Sequence, residues 1–197
     1  TVFAAIAGPL FGAAGWAFKK AVARISADRP RDWRVLVALP IASFLVGVTS
    51  VWVPSVVGNG QASAQTQFDA TWATGMGLAF ALLVLLAKTA TTLLTIRAGG
   101  WGGVLTPAVA LGAGLGAVIG LPWATAWPGS EVAAFAFLGA AAFLGASMKA
   151  PFTGLILVIE FTGQGPTILV PAALAVGGAT AAATWLSRRA SLGHQAR

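Results

Sequence analysis

Long apolar runs with almost no charge are the feature that most limits how this chain can fold. A helix needs about 20 apolar residues to cross the roughly 30 Å hydrocarbon core of a bilayer. Of the 197 residues 57% are hydrophobic and 9% charged, against roughly 25% charged in ordinary globular domains. So few charges cannot cover a soluble protein of this size, and the abundance of apolar residues excludes disorder. The sequence therefore predicts an all-α polytopic membrane protein.

The apolar runs are uneven in length and are interrupted by Gly and Pro. Backbone that is unpaired at membrane depth is tolerated only where it is buried in protein or lines a polar cavity. Broken helices of this kind place helix ends at the midplane sites of transporters. We therefore expect broken and re-entrant helices around a transport pathway. The runs are Val2–Phe18, Val35–Val53, Trp72–Ile96, Val104–Leu121, Val132–Met148, Pro151–Phe161 (too short to cross comfortably) and Ile168–Leu186.

The basic residues lie beside the apolar runs. Six of the 12 Lys and Arg residues fall in the linker from Lys19 to Arg34, and more follow the last run. The segment Ser55–Thr71 has none and is expected to be a loop on the opposite side. This is the positive-inside pattern of an integral membrane protein. We expect a multi-pass protein of the plasma (inner) membrane. The net charge of +7 is thus assigned to topology and lipid contact rather than to nucleic acid. We expect a membrane domain over residues 1–186 and a polar basic tail over 187–197.

Enzyme chemistry has little support in these residues. Cysteine is absent and there is a single His, which excludes thiolate chemistry and a multi-histidine metal site within one chain. No Ser–His or paired-carboxylate arrangement is evident. We expect no catalytic residue, no metal ion and no cofactor.

The segment Gly99-Gly100-Trp101-Gly102-Gly103-Val104-Leu105-Thr106-Pro107 opens onto an apolar helix. Glycines leave amide N–H groups unobstructed, and proline is favoured at a helix start. The first N–H groups and the positive dipole end of that helix then face the loop, which makes an anion-binding device without a charged side chain. The same composition also fits a flexible Gly-rich turn that only packs closely. An interfacial aromatic turn is expected at Pro122–Ser130.

Three separate segments resemble the CLC family of chloride channels and proton-coupled exchangers. Residues 102–112 are similar to its second anion-site signature, and residues 88–94 (Lys-Thr-Ala-Thr-Thr-Leu-Leu) to its basic residue followed by Thr-Thr-Leu-Leu. Residues 140–162 resemble its two penultimate membrane helices. Order and spacing agree from about Phe11 to Leu186, which corresponds to the C-terminal inverted-repeat half of the family's membrane domain.

The resemblance implies roles for individual residues. The backbone amides of Val104 and Leu105 would face the central anion, and Leu105 replaces the family's usual Phe. The family's late Tyr has no counterpart, and Ser191, near its place, is a candidate hydroxyl donor or an ordinary C-terminal residue. The implied anion site is Gly103, Val104, Leu105, Thr106 and Pro107.

Charged residues inside or beside the apolar runs have two interpretations each. Lys88 would make the pathway electropositive, or would bond backbone carbonyls as a structural lysine. Arg97, directly before the Gly-rich segment, would set the potential at a pore mouth or anchor a helix end. Glu160 is expected to be a structural partner rather than part of a proton path.

The function implied by the resemblance is chloride transport by a channel or proton-coupled exchanger. Its expected partners are chloride or another small anion, the lipid bilayer, a second copy in a homodimer, and the N-terminal half of the same transporter, whose gating motifs are not among these residues. Two alternatives stay open. One is a CLC-type transporter selective for fluoride or another small anion, and the other is a non-transporting membrane structural fragment.

Overall fold

The computed structural model describes residues 1–70, 77–162 and 166–195. Eight α-helices and two short 3-10 turns, Pro54–Val56 and Pro166–Ile168, account for most of these ranges. The all-α prediction is confirmed. The helices are α1 (Val2–Ala27), α2 (Val35–Trp52), α3 (Gln61–Asp69), α4 (Gly77–Arg97), α5 (Leu105–Ala126), α6 (Val132–Met148), α7 (Pro151–Thr162) and α8 (Leu169–Gln195).

Five of these helices, α1, α2, α4, α5 and α8, are long and apolar enough to cross a membrane. Helix α6 is apolar but shorter, and α7 has 12 residues. The mixture of full-length and short apolar helices matches the prediction of a polytopic membrane protein with interrupted spans.

Helix α6 is the centre of the bundle. Every residue from Phe135 to Ser147 is buried, so this helix is apolar on all sides rather than on one face. Its main neighbours are α1, α5, α7 and α8, and α3 also contacts it. The membrane-embedded core is therefore protein on protein, and lipid meets the outer helices.

Helices α1 and α8 cross closely and run in the same direction. Gly8 lies against the backbone of Ala175, and Gly12 against that of Ala179. A Cβ atom at Gly8 would lie 2.8 Å from the Ala175 carbonyl oxygen. Because small residues allow this approach, the two backbones pack without intervening side chains.

Helix α6 runs parallel to α1 as well. The rings of Phe3 and Phe135 are 4.1 Å apart near the start of both helices, and those of Phe18 and Phe143 are 5.7 Å apart further along. The carboxyl ends of α1, α6 and α8 therefore point to one side of the bundle.

Helix α5 packs antiparallel to α6 through glycines. A Cβ atom at Gly112 would lie 2.6 Å from the Gly139 carbonyl oxygen, and one at Gly116 would collide with the Phe135 carbonyl. Such close contact fixes the rotation of α5 about its axis, and this determines where its amino-terminal end is held.

Helix α2 is the most peripheral span. Ala42 is its one buried residue, and apolar side chains such as Leu36 and Phe44 are 77% and 70% exposed. An apolar helix with this exposure is suited to lipid or to another hydrophobic partner.

Several local boundaries differ from those expected. Helix α1 continues past Lys19 to Ala27, because Ala, Arg and Lys residues are good helix formers even where the sequence is polar. Helix α5 includes Pro122 and ends at Ala126, so the aromatic turn begins later than predicted. The expected loop over residues 55–71 contains α3. The first residues of the Trp72–Ile96 run lie outside the described ranges, and α8 extends beyond the apolar run that ends at Leu186, to Gln195.

Candidate anion-binding site

The end of α4 sets the position of the Gly-rich segment. The Gly99 N–H donates to the Ile96 carbonyl (3.2 Å) and the Gly100 N–H to the Thr95 carbonyl (2.9 Å). Gly99 has a φ of +100°, a left-handed conformation that glycine adopts without the cost of a Cβ atom. This is a Schellman-type cap, and it turns the chain away from α4 towards the start of α5.

The amino-terminal end of α5 carries free backbone donors. Val104 is its N-cap, with no side-chain cap, and its carbonyl accepts the Ala108 N–H at 3.0 Å. Within the described ranges no acceptor is bonded to the N–H groups of Gly103, Val104, Leu105 or Thr106. Unsatisfied amides at a helix start, together with the positive dipole end, favour a negative ligand.

A cavity of about 460 Å³ borders the start of α5. Helix α4 lines it with Lys88 and a series of threonines, and the segment after α4 lines it with glycine backbone. Three of the expected anion-site residues, Gly103, Val104 and Pro107, also line it, whereas the half-buried Leu105 and Thr106 do not. The structure therefore brings Lys88 and the start of α5 to one cavity.

Lys88 is buried, with 3% exposure. Its ammonium donates to the carbonyl oxygens of Val56 (2.8 Å) and Gly58 (2.9 Å). In the described part of the chain it forms no ion pair with a carboxylate. Both interpretations of Lys88 thus have support, because the lysine bonds backbone carbonyls and also leaves an uncompensated positive charge beside the cavity.

Gly60 connects Lys88 to the start of α5. A Cβ atom at Gly60 would lie 3.3 Å from Cε of Lys88 and 3.2 Å from the Thr106 carbonyl oxygen, and its φ is +113°. The lysine stem and the first turn of α5 therefore both pack around the position that a side chain at Gly60 would occupy.

Thr92 also lines the cavity, although the sequence did not single it out. The hydroxyls of Thr91 and Thr95 donate to helical carbonyls, those of Ala87 (2.9 Å) and Thr91 (2.8 Å). The Thr92 hydroxyl has no such partner among the described residues, although Thr92 lines the cavity and is 9% exposed. Its position four residues after Lys88, on the same helix face, is the signal that could have identified it.

Arg97 and Ser191 lie outside this cavity. The Arg97 guanidinium donates to the Asp28 carbonyl at 2.8 Å and borders a second, basic cavity at the α1–α2 linker. Ser191 is exposed near the end of α8, where its hydroxyl donates to the Arg188 carbonyl at 2.7 Å. The geometry favours Arg97 as an anchor of a helix end rather than a residue that sets the potential at a pore mouth. It favours Ser191 as an ordinary C-terminal residue rather than a hydroxyl donor to the anion. Glu160 is exposed on α7.

The α1–α2 linker contacts the Gly-rich segment from outside. The Arg29 guanidinium lies 4.0 Å from the ring centroid of Trp101, a cation–π contact. Gly99 also approaches Val35, whose Cγ2 would lie 3.0 Å from a Cβ atom at Gly99. Together with the Arg97–Asp28 bond, these contacts hold the segment that presents the amides.

Comparison with known proteins matches the chain to one family. The family model described as "Voltage gated chloride channel" matches residues 1–184. The H(+)/Cl(-) exchange transporter ClcA of Yersinia pestis bv. Antiqua (strain Angola) is 34% identical over 169 residues, which is 82% of this chain and 34% of that protein.

Two other relatives agree. The H(+)/Cl(-) exchange transporter ClcA of Cronobacter sakazakii is 32% identical over 94% of this chain and 38% of that protein. The transporter of the same name from Klebsiella pneumoniae is 32% identical over 91% of this chain and 37% of that protein. The chain thus spans about a third of the length of the curated relatives that it matches. With five apolar helices of membrane-spanning length and this family match, the chain is an integral, multi-pass membrane protein of the voltage-gated chloride channel family.

Proposed function

We propose that this chain supplies part of the anion pathway of a CLC-type chloride transporter. In this proposal the backbone N–H groups of Val104 and Leu105 bind a chloride ion, and Gly103, Thr106 and Pro107 shape the turn that presents them. The observation that carries the proposal is the uncapped start of α5, whose first amides find no acceptor in the described ranges and where Gly103, Val104 and Pro107 line a cavity bordered by a buried lysine.

Main-chain dipoles suit an ion that must be released as well as bound. A full positive charge in direct contact with chloride would hold it tightly, whereas several neutral donors replace its water shell at lower cost. Partial positive charge at a helix start adds a favourable field without a counter-ion. The site therefore combines dehydration of the anion with reversible binding.

Lys88 and Thr92 extend the site in this proposal. The buried ammonium contributes a longer-range attraction, since its direct hydrogen bonds go to carbonyl oxygens and its charge is not matched by a nearby carboxylate in the described residues. The Thr92 hydroxyl has no hydrogen-bond partner among the described residues, and in this proposal it donates to an anion in the cavity that Thr92 lines. Arg97 and Ser191 are assigned structural positions instead.

The remaining expectations concern the whole transporter. We propose that it resides in the inner membrane, that an N-terminal half completes the pathway, and that two copies associate through α7 and α8. Exposed apolar side chains on these helices, such as Phe152 (79%) and Val170 (65%), support the last point. The names of the relatives favour proton-coupled exchange over a passive channel. The domain boundary near residue 186 stays a prediction.

Reconstitution of the complete natural protein into liposomes tests the proposal. A chloride gradient should drive chloride efflux, and coupled exchange should move protons in the opposite direction under the same gradient. Parallel measurements with fluoride distinguish the alternative selectivity, for which the replacement of the family's Phe by Leu105 is the supporting observation. Vesicles that release neither anion, with protein of normal thermal stability, would instead support a non-transporting membrane component.

A further inference from the structure

The carboxyl ends of α1, α6 and α8 meet on one side of the bundle and carry cationic side chains. Lys19 lies on α1, Lys149 is the C-cap of α6, and Arg188 lies on α8. These three residues line one cavity of about 520 Å³, here called the basic end cavity. Its volume is in the range of small-molecule sites.

The charge of the basic end cavity is not neutralised by the described residues. None of its lining residues is acidic, and its three cations form no ion pair in the described ranges. The neighbouring cations Lys20 and Arg189 do not line the cavity. Lys20 lies 4.9 Å from the ring centroid of Trp16, a cavity wall, and Arg189 lies 3.9 Å from that of Trp185 in the adjoining groove. The cavity therefore presents unpaired positive charge from three separate helices.

The backbone conformation at residue 149 does not explain why a lysine occupies this position. Its φ is +56°, in the left-handed region where glycine is favoured and other residues pay a conformational cost. The Ala150 N–H then bonds the Gly145 carbonyl at 3.1 Å, as in a helix cap that glycine usually forms. A lysine at a position suited to glycine suggests a role for its side chain.

An apolar groove continues from the basic end cavity. The groove, of about 550 Å³, lies between α7 and α8 and is lined by apolar side chains that include Leu155 and Trp185. It shares Thr180, Thr184 and Arg188 with the cavity. Positive charge that continues into an apolar groove is complementary to a molecule with an anionic head and a hydrocarbon tail.

We propose that the basic end cavity binds the phosphate headgroup of an anionic phospholipid. Arg and Lys side chains form strong, charge-assisted hydrogen bonds with phosphate oxygens. The positive-inside pattern places these helix ends at the cytoplasmic leaflet, where anionic lipids are attracted by clustered Lys and Arg. The acyl chains would lie in the groove between α7 and α8, and in the proposed dimer they would share this face with the second copy.

Native mass spectrometry of the complete natural protein with added phosphatidylglycerol or phosphatidylcholine tests this site. The test variant, Lys149→Gly with Arg188→Gln, removes two cavity cations, and the first change suits the backbone. The matched control, Lys20→Gln with Arg189→Gln, removes the same charge from the same end of the bundle but outside the cavity. If these cations only complemented the helix dipoles, the test variant and the control variant would lose phosphatidylglycerol binding to the same extent.

We expect phosphatidylglycerol binding to weaken about tenfold in the test variant, with the control close to wild type and phosphatidylcholine binding unchanged in both. Equal losses in the two variants, or no preference for phosphatidylglycerol in the wild type, would overturn the proposal. Competition by inorganic phosphate at concentrations similar to those of the lipid would also overturn it, because the site would then bind a free anion. Thermal unfolding in phosphatidylcholine micelles checks that the variants are folded.

Discussion

Replacing Leu105 by proline deletes a single proposed anion donor at the first position of α5. Leu105 is the first residue of α5, and the first helical position is where proline is best tolerated, since its N–H has no partner within the helix. Leu105→Ala at the same position removes most of the side chain and keeps the N–H. The two variants therefore separate the contribution of the main-chain dipole from that of the side chain.

The expected size of the effect follows from the charge of the ligand. A hydrogen bond to a charged group contributes roughly 1.5–3 kcal/mol, and each 1.4 kcal/mol is about a factor of ten in affinity. We expect Leu105→Pro to weaken chloride binding about 10- to 100-fold, and Leu105→Ala to change it less than about threefold. Isothermal titration of the complete natural protein in detergent with chloride measures both dissociation constants.

Strain at the preceding residue is the main confounding effect. Val104 has φ −92° and ψ 5°, a conformation that a following proline disfavours. Thermal unfolding in the absence of chloride therefore accompanies each titration. Similar affinities for the two variants at similar stabilities would refute the role of the Leu105 amide.

Three further predictions use matched or single changes. Thr92→Val should weaken chloride binding by about tenfold, whereas Thr91→Val, whose hydroxyl already bonds a helical carbonyl, should leave it unchanged; equal effects would contradict the free-hydroxyl assignment. Lys88→Met should weaken chloride binding by about tenfold through the lost charge, and titration data equal to wild type would assign the lysine a purely structural role. Gly112→Ala should destabilise the fold by roughly 1–3 kcal/mol because its Cβ atom has no room, whereas Gly102→Ala, with open space around it, should cost less; denaturant unfolding measures both, and equal stabilities would contradict the close α5–α6 packing.

The architecture could be predicted because membrane insertion imposes strong rules on sequence. Apolar runs of about 20 residues, interrupted by Gly and Pro, identify spans and breaks without tertiary information. The turn before α5 was predictable because glycines interrupt the apolar sequence there. In the structure Gly99 and Gly100 form the cap that ends α4. The resemblance of three separate segments then identified the family, which the family match confirms.

Helix boundaries were less predictable because packing decides them. Pro122 occurs inside α5, where the preceding turns are held against α6. Helix α1 likewise continues beyond Lys19, since a polar sequence can extend a helix that is already formed. Composition marks where hydrophobicity ends, which is not always where hydrogen bonding ends.

Side-chain partners at the site depend on contacts between distant parts of the chain. The carbonyl partners of Lys88 are about 30 residues away, at Val56 and Gly58 (sequence separations of 32 and 30), and Arg97 bonds Asp28 across 69 residues. No periodicity in the sequence encodes these pairs. The sequence singled out Lys88 and Arg97 but left the role of each open. In the structure Lys88 lines the cavity beside α5, whereas Arg97 borders the cavity at the α1–α2 linker.

The most direct test is to locate a bromide ion in crystals of the complete natural protein soaked in bromide. Bromide replaces chloride and gives an anomalous signal that identifies it without ambiguity. We predict a peak within hydrogen-bonding distance of the Val104 and Leu105 nitrogen atoms, in the cavity lined by Lys88 and Thr92. A well-ordered start of α5 with no bromide beside it, in crystals that bind bromide elsewhere, would contradict the account.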